Sequence, residues 1–289
     1  MFTTFVVYDQ IKTPDDTDNT TGFSIEINEP PRCHIHENTC IFHPSSSLLF
    51  MRVLVIQHSA ADSLAAAESV LAELGHEIIT VRIDRQHPIP QSVDCDAMIM
   101  LGGPYPLTME NRPDWIATEQ ALVRRYVDDG RRILGICLGA QILASALGAQ
   151  VRRHAQAELG WHTIRRTSDA SSLAVESLPQ QMTVFQWHRD TFEIPNGAKH
   201  LYESDGCRNQ GFSLNDRVFG FQFHLEADLR TIRTFLTVSK YRKLTGKGIQ
   251  TEAEIMAGIN RHLADQREHM SSFLAHLLPS AGNGTIHEQ

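Results

Sequence analysis

Residues 131–148, RRILGICLGAQILASALG, contain the side chain with the clearest chemical potential, Cys137. The apolar run 133–136 is typical of a buried parallel strand, and a helix-favouring stretch follows until Gly148. The pattern predicts a strand, a sharp turn and a helix, with the cysteine at the turn. The small residues Gly135 and Gly139 on either side would let the backbone bend there and expose one side chain, as at a nucleophile elbow.

A thiol at the start of a helix lies where the helix dipole and free N–H groups favour its thiolate, the reactive form. The alternative is a buried structural cysteine that packs beside glycines, because free cysteines are often buried as small apolar residues. Cys137 alone does not decide between these two interpretations.

A cysteine nucleophile needs a base, and the base needs a group that orients it. His224 and Glu226 follow an apolar strand predicted over 218–223, two positions apart. Residues i and i+2 of a strand share a face, so the carboxylate of Glu226 can orient the imidazole of His224. A histidine beside an acid is also common on protein surfaces. The prediction of a catalytic pair therefore depends on the position of His224 and Glu226 after a buried strand.

Gly102 and Gly103 end another predicted strand, 97–101, and precede Pro104. A glycine turn at the edge of a sheet can direct a backbone N–H at a developing oxyanion. The N–H of Leu138, directly after the proposed nucleophile, would be the second donor. A plain tight turn is the alternative reading of the two glycines.

The composition limits which classes of function fit. The chain has 289 residues, a net charge of −8 and 42% hydrophobic residues, as in a globular protein. The negative charge argues against a nucleic-acid partner or an anionic membrane surface. No apolar run approaches the ~20 residues that span a bilayer. Five irregularly spaced cysteines and no signal peptide predict reduced thiols and a cytoplasmic location.

Residues 1–50 differ from the rest, with seven acidic residues, two basic ones and no sustained periodicity. This composition predicts a disordered or non-native leader that can be removed, because a clean strand begins at Met51. The leader holds five metal-ligand side chains whose spacing matches no zinc pattern, so we expect no metal site: Cys33, His34, His36, Cys40 and His43.

From Met51 to Gly148, predicted strands alternate with predicted helices, which is typical of βαβ units and a parallel sheet. Ligands of such sheets bind beyond the carboxyl ends of the strands. Shorter strands are predicted over 150–165, 182–187, 199–204 and 217–223. The sequence then favours helix from about Asp228 to Leu278, so we expect a domain over 51–240 and a helical extension, 241–289, packed on it.

Three segments, GGP, GICLGAQ and QFHLE, in this order and at these intervals resemble the class I glutamine amidotransferases. ELGW and QWHRDTFEIP between them are similar to stand-alone members related to the amidotransferase half of GMP synthase. The resemblance covers about residues 51–240. It implies an α/β fold, a flavodoxin-like three-layer sandwich with a mostly parallel central sheet.

The same resemblance implies a role for each of five residues. Cys137 would be the nucleophile, His224 the general base and acid, and Glu226 the group that orients the histidine. The backbone amides of Gly103 and Leu138 would form the oxyanion hole. No metal ion and no cofactor is implied.

For the substrate, the resemblance implies that Gln141 helps to hold the α-amino-acid end of glutamine or of a γ-glutamyl compound. The segment 186–190 would line the same pocket, largely through its backbone. His188 is then a pocket or structural residue, and Asp190 ends the segment. Arg189 stands where such proteins often have glycine, which brings the local turn and the choice of substrate into question.

Three functions remain open at this stage. The first is hydrolysis of glutamine with delivery of ammonia to a separate synthase, because the chain has no P-loop and no ATP-pyrophosphatase motif. The second is a self-contained γ-glutamyl peptidase or hydrolase that uses the same thioester route. The third is a non-catalytic binding module, against which the complete Cys, His and Glu set argues.

Overall fold

The computed structural model describes residues 50–92, 95–237 and 244–280. Its strands form one sheet in the order β2-β1-β3-β4-β9-β8-β7-β5-β6. The strands are β1 Arg52–Gln57, β2 Glu77–Arg82, β3 Ala97–Met100, β4 Arg132–Ile136, β5 Val151–Arg166, β6 Gln181–Phe192, β7 Lys199–Ser204, β8 Gly211–Leu214 and β9 Val218–Phe221. The helices are α1 Ala66–Glu73, α2 Asp114–Asp128, α3 Leu138–Ala146, α4 Leu173–Glu176, α5 Leu229–Thr237 and α6 Glu252–Leu277.

The first half of the sheet is parallel. Strand β1 pairs with β2 and β3, β3 pairs with β4, and β4 pairs with β9, all in parallel register. Strands β3, β4 and β9 are therefore neighbours, and their carboxyl ends meet at one edge. Their inward residues are apolar and fully buried, as expected for strands covered by helices on both faces.

The second half of the sheet is antiparallel. Strands β9, β8, β7, β5 and β6 pair in that order, and β5 with β6 forms a long hairpin with a register shift between Arg153 and Glu158. Strand β8 is not predicted from the sequence, because GFSL is too short and too close to the Asn215–Asp216 turn to show a period. The predicted α/β class with a large sheet between helices is confirmed.

Helices cover both faces of the sheet. Helices α2 and α3 pack on one face with Ile116, Val123 and Ile142, whereas α1 and α6 pack on the other with Leu71 and Phe273. A third apolar cluster joins Trp161 of β5 to α5 and the start of α6. The carboxyl ends of β3, β4 and β9 therefore belong to a sheet that is packed by helices on both faces.

The predicted continuous helix from Asp228 to Leu278 is wrong in part. Residues 244–251 are not helical, and Ile249 forms an isolated parallel bridge with Leu159 of β5. Gly246 has a φ of 157°, a conformation that side-chain-bearing residues rarely adopt. A new helix then starts at a capping box formed by Thr251 and Glu254.

The proposed leader, 1–50, lies outside the described residues except for Phe50, and so does the cysteine and histidine cluster within it. The described core begins at Met51, which is buried. Within the described ranges, no helix combines the length and apolar character required to cross a bilayer.

Candidate active site

Cys137 lies in a sharp turn between β4 and α3. Its φ is 52°, in the left-handed region, and its N–H donates to the carbonyl of Phe221 at 2.8 Å. Gly139 packs so closely on the backbone of Met100 that an added methyl group would overlap the carbonyl oxygen. The predicted elbow is present, and its glycine is required by the close approach of α3 to β3.

His224 and Glu226 follow β9, the neighbour of β4. The Nδ1 atom of His224 is 2.7 Å from Oε1 of Glu226, and both side chains are buried. The backbone N–H of His224 donates to the carbonyl of Phe185 on β6, which fixes the chain beyond the strand end. The aromatic ring of Phe235 lies edge-on to the imidazole at 5.4 Å and limits solvent access.

The charges around His224 favour its imidazolium form. Burial lowers the pKa of His224, but the electrostatic interactions with Glu226 and Cys137 and the hydrogen bond to Glu226 together outweigh it and raise the pKa well above its usual value. Nε2 makes no hydrogen bond of ordinary geometry with the described residues, and the side chain of Cys137 is its neighbour. This nitrogen is therefore free to exchange a proton at the thiol.

A cavity of about 290 Å³ opens at Cys137, and Gly103 and Leu138 line it. Leu138 is the first residue of α3, and the first N–H groups of a helix have no acceptor within it. Gly103 is on the loop after β3, beside Leu138. Both predicted oxyanion donors thus lie on the wall of the cavity that holds the cysteine.

The predicted substrate-binding residues also line this cavity. Gln141 donates from Nε2 to the carbonyl of Asp190 at 3.2 Å and to Oε1 of Gln222 at 3.1 Å. The carboxylate of Asp190 is held by Thr108 and by Arg153. Arg189 is exposed at the rim of the cavity, where its cation is available to a ligand.

The imidazole of His188 is engaged inside the protein. Its Nε2 is 3.1 Å from Oε2 of Glu158, and its Nδ1 is 3.0 Å from the carbonyl of Asp190. Ser204 and Gln210 also donate to the Glu158 carboxylate. Burial raises the pKa of Glu158. The hydrogen bond and charge of His188, together with the hydrogen bond from Ser204, outweigh burial, so the net shift of the pKa is downward. His188 thus supports the pocket wall through a buried network.

Potential metal ligands from Glu158, His188 and Cys207 lie within 4.8 Å of one another. The carboxylate and the imidazole are already hydrogen-bonded, and Sγ of Cys207 is 3.3 Å from the Thr191 hydroxyl. Burial raises the pKa of Cys207 to about 11, which disfavours the thiolate that a metal ion would require. These residues do not fit a metal site.

Sequence reasoning missed several buried charged groups beside the cavity. His58 directly follows β1 and pairs with Glu119 of α2, and Asp62 is buried beside Gly102 near His224. Two signals were present: a histidine at the carboxyl end of a parallel strand, and an acid at 119 within the apolar stripe of Ile116 and Val123. Arg153 gave no such signal, because only the β5–β6 register brings it to Asp190.

Comparison with known proteins identifies the family and matches the fold. The model of the family "Glutamine amidotransferase class-I" matches residues 62–244. The solved glutamine amidotransferase of Methylobacillus flagellatus superposes with a TM-score of 0.74 at 29% identity, and covers 83% of this chain and 100% of its own.

Curated relatives include three kinds of protein. The glutamine amidotransferase-like protein YfeJ of Salmonella typhimurium is 29% identical over 72% of this chain and 90% of its own. One subunit of the glutamine-hydrolysing GMP synthase of Saccharolobus solfataricus is 32% identical, covering 48% and 71%. Gamma-glutamyl peptidase 3 of Arabidopsis thaliana is 28% identical, covering 50% and 60%. The family match spans more than half of the residues, and the chain belongs to the class I glutamine amidotransferases.

Proposed function

We propose that the protein hydrolyses the side-chain amide of glutamine through Cys137, His224 and Glu226, and delivers the ammonia to a separate synthase partner. The observation that supports this most is the meeting of the cysteine and the buried His–Glu pair at the ends of two neighbouring parallel strands, β4 and β9. In cysteine catalysis, a base activates the nucleophile and a third group orients the base.

In the proposed reaction, the Cys137 thiolate attacks the γ-carbonyl carbon of glutamine and forms a carbon–sulfur bond. The oxyanion accepts hydrogen bonds from the amides of Gly103 and Leu138. The carbon–nitrogen bond then breaks, and His224 donates the proton that releases ammonia. Water, deprotonated by His224, attacks the γ-glutamyl thioester, which yields glutamate and regenerates the thiol.

Two residues that line the cavity, Gln141 and Arg189, suit the amino-acid end of the substrate. The Nε2 of Gln141 is occupied by Asp190 and Gln222, which leaves its carbonyl oxygen for the α-ammonium group. Arg189 at the rim supplies a cation for the α-carboxylate. In segment 186–190, the side chain of Gln186 turns inward and donates to Gln210. The backbone of this segment therefore holds Gln141 and Arg189 in place.

Delivery of ammonia to a partner is proposed by analogy. One relative is by its name a single subunit of GMP synthase, so an amidotransferase of this kind occurs as a separate chain. A transient complex would let the synthase receive ammonia directly from the site.

A second candidate function, cleavage of γ-glutamyl peptides, has its own support. Besides Arg189, Arg153 lines the cavity, and its side chain is half exposed although it pairs with Asp190, so a second carboxylate at the mouth, such as that of a γ-glutamyl dipeptide, would find a cation. A relative is named a γ-glutamyl peptidase. The chemistry would be the same, with an amino acid instead of ammonia as the leaving group.

The deciding experiment compares steady-state turnover of glutamine with that of a series of γ-glutamyl dipeptides, measured as released ammonia and released amino acid. The proposal predicts that glutamine has the higher kcat/KM and that a copurifying synthase raises it. A higher kcat/KM for the dipeptides would favour the peptidase. Cys137-independent turnover would refute both catalytic mechanisms, and no turnover of either substrate would favour a binding module.

A further inference from the structure

A buried charged pair lies behind the candidate oxyanion hole. His58 follows β1 and Glu119 lies on α2, and both side chains are completely buried. Nε2 of His58 is 2.9 Å from Oε2 of Glu119. The indole of Trp115, from the first turn of α2, packs against the imidazole with a ring separation of 5.2 Å. Neither residue lines the cavity, so a direct role in substrate binding is not their function.

The other nitrogen of His58 faces the loop after β3. Nδ1 is 3.0 Å from the carbonyl oxygen of Leu101 and 3.2 Å from that of Gly102. A carbonyl oxygen only accepts hydrogen bonds, so Nδ1 carries a proton and donates to this loop. The carboxylate of Glu119 at the opposite nitrogen orients the ring.

The donor at Nδ1 controls the direction of one peptide group. In a trans peptide, the C=O and N–H groups point to opposite sides, and the described residues contain no cis peptide bond. Holding the carbonyl of Gly102 toward His58 therefore turns the N–H of Gly103 away from His58, and Gly103 lines the cavity that holds Cys137.

The same donor links the loop to the nucleophile turn. The carbonyl oxygen of Leu101 also accepts the N–H of Gly139 at 3.1 Å, so one oxygen joins His58 to the first turn of α3. The space is tight: an added methyl group at Gly103 would lie 2.8 Å from both the Cβ of His58 and a side-chain carbon of Leu138.

We propose that His58 and Glu119 are positioning residues that hold the Gly102–Gly103 peptide with its N–H aimed at the oxyanion of the reaction. The inference rests on the proposed function, because it concerns the transition state of amide hydrolysis. Its physical basis is that an oxyanion donor is effective only when it is oriented before the charge develops.

Two double variants separate positioning from folding. His58→Leu with Glu119→Leu replaces the buried pair by apolar groups, a change that is often neutral or stabilising for a fold. His58→Asn with Glu119→Gln removes the charges but keeps an N–H near the position of Nδ1. Loss of one oxyanion donor costs about 10²–10³ in kcat, so we expect the first variant to lose at least tenfold in kcat with little change in KM. The second variant should retain turnover within about threefold.

Alkylation of Cys137 by iodoacetamide controls for a general disturbance of the site, because such a disturbance would change the alkylation rate as well as kcat. This displacement forms no oxyanion, so its rate should stay the same in both variants while kcat of the first falls. If the alkylation rate falls in parallel with kcat, or if the Asn/Gln variant is as slow as the Leu/Leu variant, the proposal is wrong.

Binding of a γ-glutamyl aldehyde distinguishes failure of this inference from failure of the proposed function. The aldehyde forms a thiohemiacetal whose oxyanion needs the same donor but no turnover. We expect its Kd to rise at least tenfold in the Leu/Leu variant. A wild-type protein that binds the aldehyde without hydrolysing any substrate would refute the proposed function alone, and an unchanged Kd would refute the positioning role. If the wild-type protein does neither, both are refuted.

Discussion

At the scale of single residues, the candidate site depends on how His224 is held. One nitrogen is fixed by Glu226 at 2.7 Å, and the other is left for the thiol. His224 and Glu226 lie among aromatic rings, where charges are weakly screened. The carboxylate of Glu226 therefore has a large effect on the pKa of His224. The proposed roles of the two residues therefore differ: the histidine would transfer the proton and the glutamate would keep it in the correct orientation.

We expect His224→Ala to lower kcat by about 10²–10⁴, the range for loss of a general acid–base group, and Glu226→Ala to cost less. The alanine at 226 removes orientation and charge but leaves the proton carrier. Ammonia release from glutamine measures both. A Glu226→Ala protein that is as impaired as His224→Ala, or more so, would assign the proton transfer differently.

Arg189 contributes binding energy for the α-carboxylate of the substrate in this account. Arg189→Gln should raise KM for substrates with a free carboxylate by about tenfold, with kcat nearly unchanged, because it removes ground-state binding. The matched control is Arg152→Gln, which loses an exposed pair with Glu193 outside the cavity and should leave KM unchanged. A KM for glutamine that is the same in both variants would contradict a role for Arg189.

At the scale of elements, strand order explains why distant segments converge. Strands β3, β4 and β9 are neighbours and parallel, so the glycine loop, the cysteine turn and the His–Glu segment end at one edge. The alternation of apolar runs and helical stretches allowed this half of the sheet to be predicted. The buried strands are short continuous apolar runs, and Gly103, Cys137 and His224 each come soon after one.

The rest of the site could not be predicted because it depends on pairing between segments far apart in sequence. Arg153 reaches Asp190 only through the register of β5 with β6, which includes a shift that no local pattern encodes. The His58–Glu119 pair joins residues 61 positions apart. The break between α5 and α6 was missed because the helical period resumes after residues 244–251.

Helix α6 contributes to the same apolar core as the parallel strands. The ring of Phe273 contacts those of Phe219 and Phe221 at 5.2 and 4.8 Å. Phe273→Ala should therefore lower the free energy of unfolding by about 3–5 kcal/mol. The control is Phe50→Ala, whose side chain is 57% exposed, with a change within about 0.5 kcal/mol. Equal urea midpoints for the two variants would show that α6 packs only peripherally.

At the scale of the whole molecule, buried histidine pairs link stability to pH. Burial lowers the pKa of His58, but the charge of Glu119 and the hydrogen bonds to Glu119, Leu101 and Gly102 together outweigh it, so the folded-state value lies above that of the unfolded chain. A raised histidine pKa stabilises the fold fully below the unfolded value of about 6.5, and this contribution is lost as the pH rises through the folded value.

Glu119→Gln removes the charge that raises the pKa of His58. The difference in unfolding free energy between wild type and this variant should be largest near pH 6 and should narrow as the pH rises. The control is Asp84→Asn at the surface, where the side-chain hydrogen bond from Arg82 lowers the pKa of Asp84, so its effect should be flat above pH 6. Urea unfolding from pH 6 to 9 measures both. A constant difference for Glu119→Gln would contradict an ionised pair.

The identity of the nucleophile is the central claim, and competitive labelling tests it most directly. Brief iodoacetamide treatment near neutral pH, followed by mass spectrometry, should modify Cys137 before the other described cysteines, Cys95 and Cys207, and added glutamine should slow that modification. Cys137→Ala should abolish turnover and keep the thermal midpoint. If Cys95 or Cys207 is labelled first and the Cys137→Ala protein still releases ammonia, the account of this site is wrong.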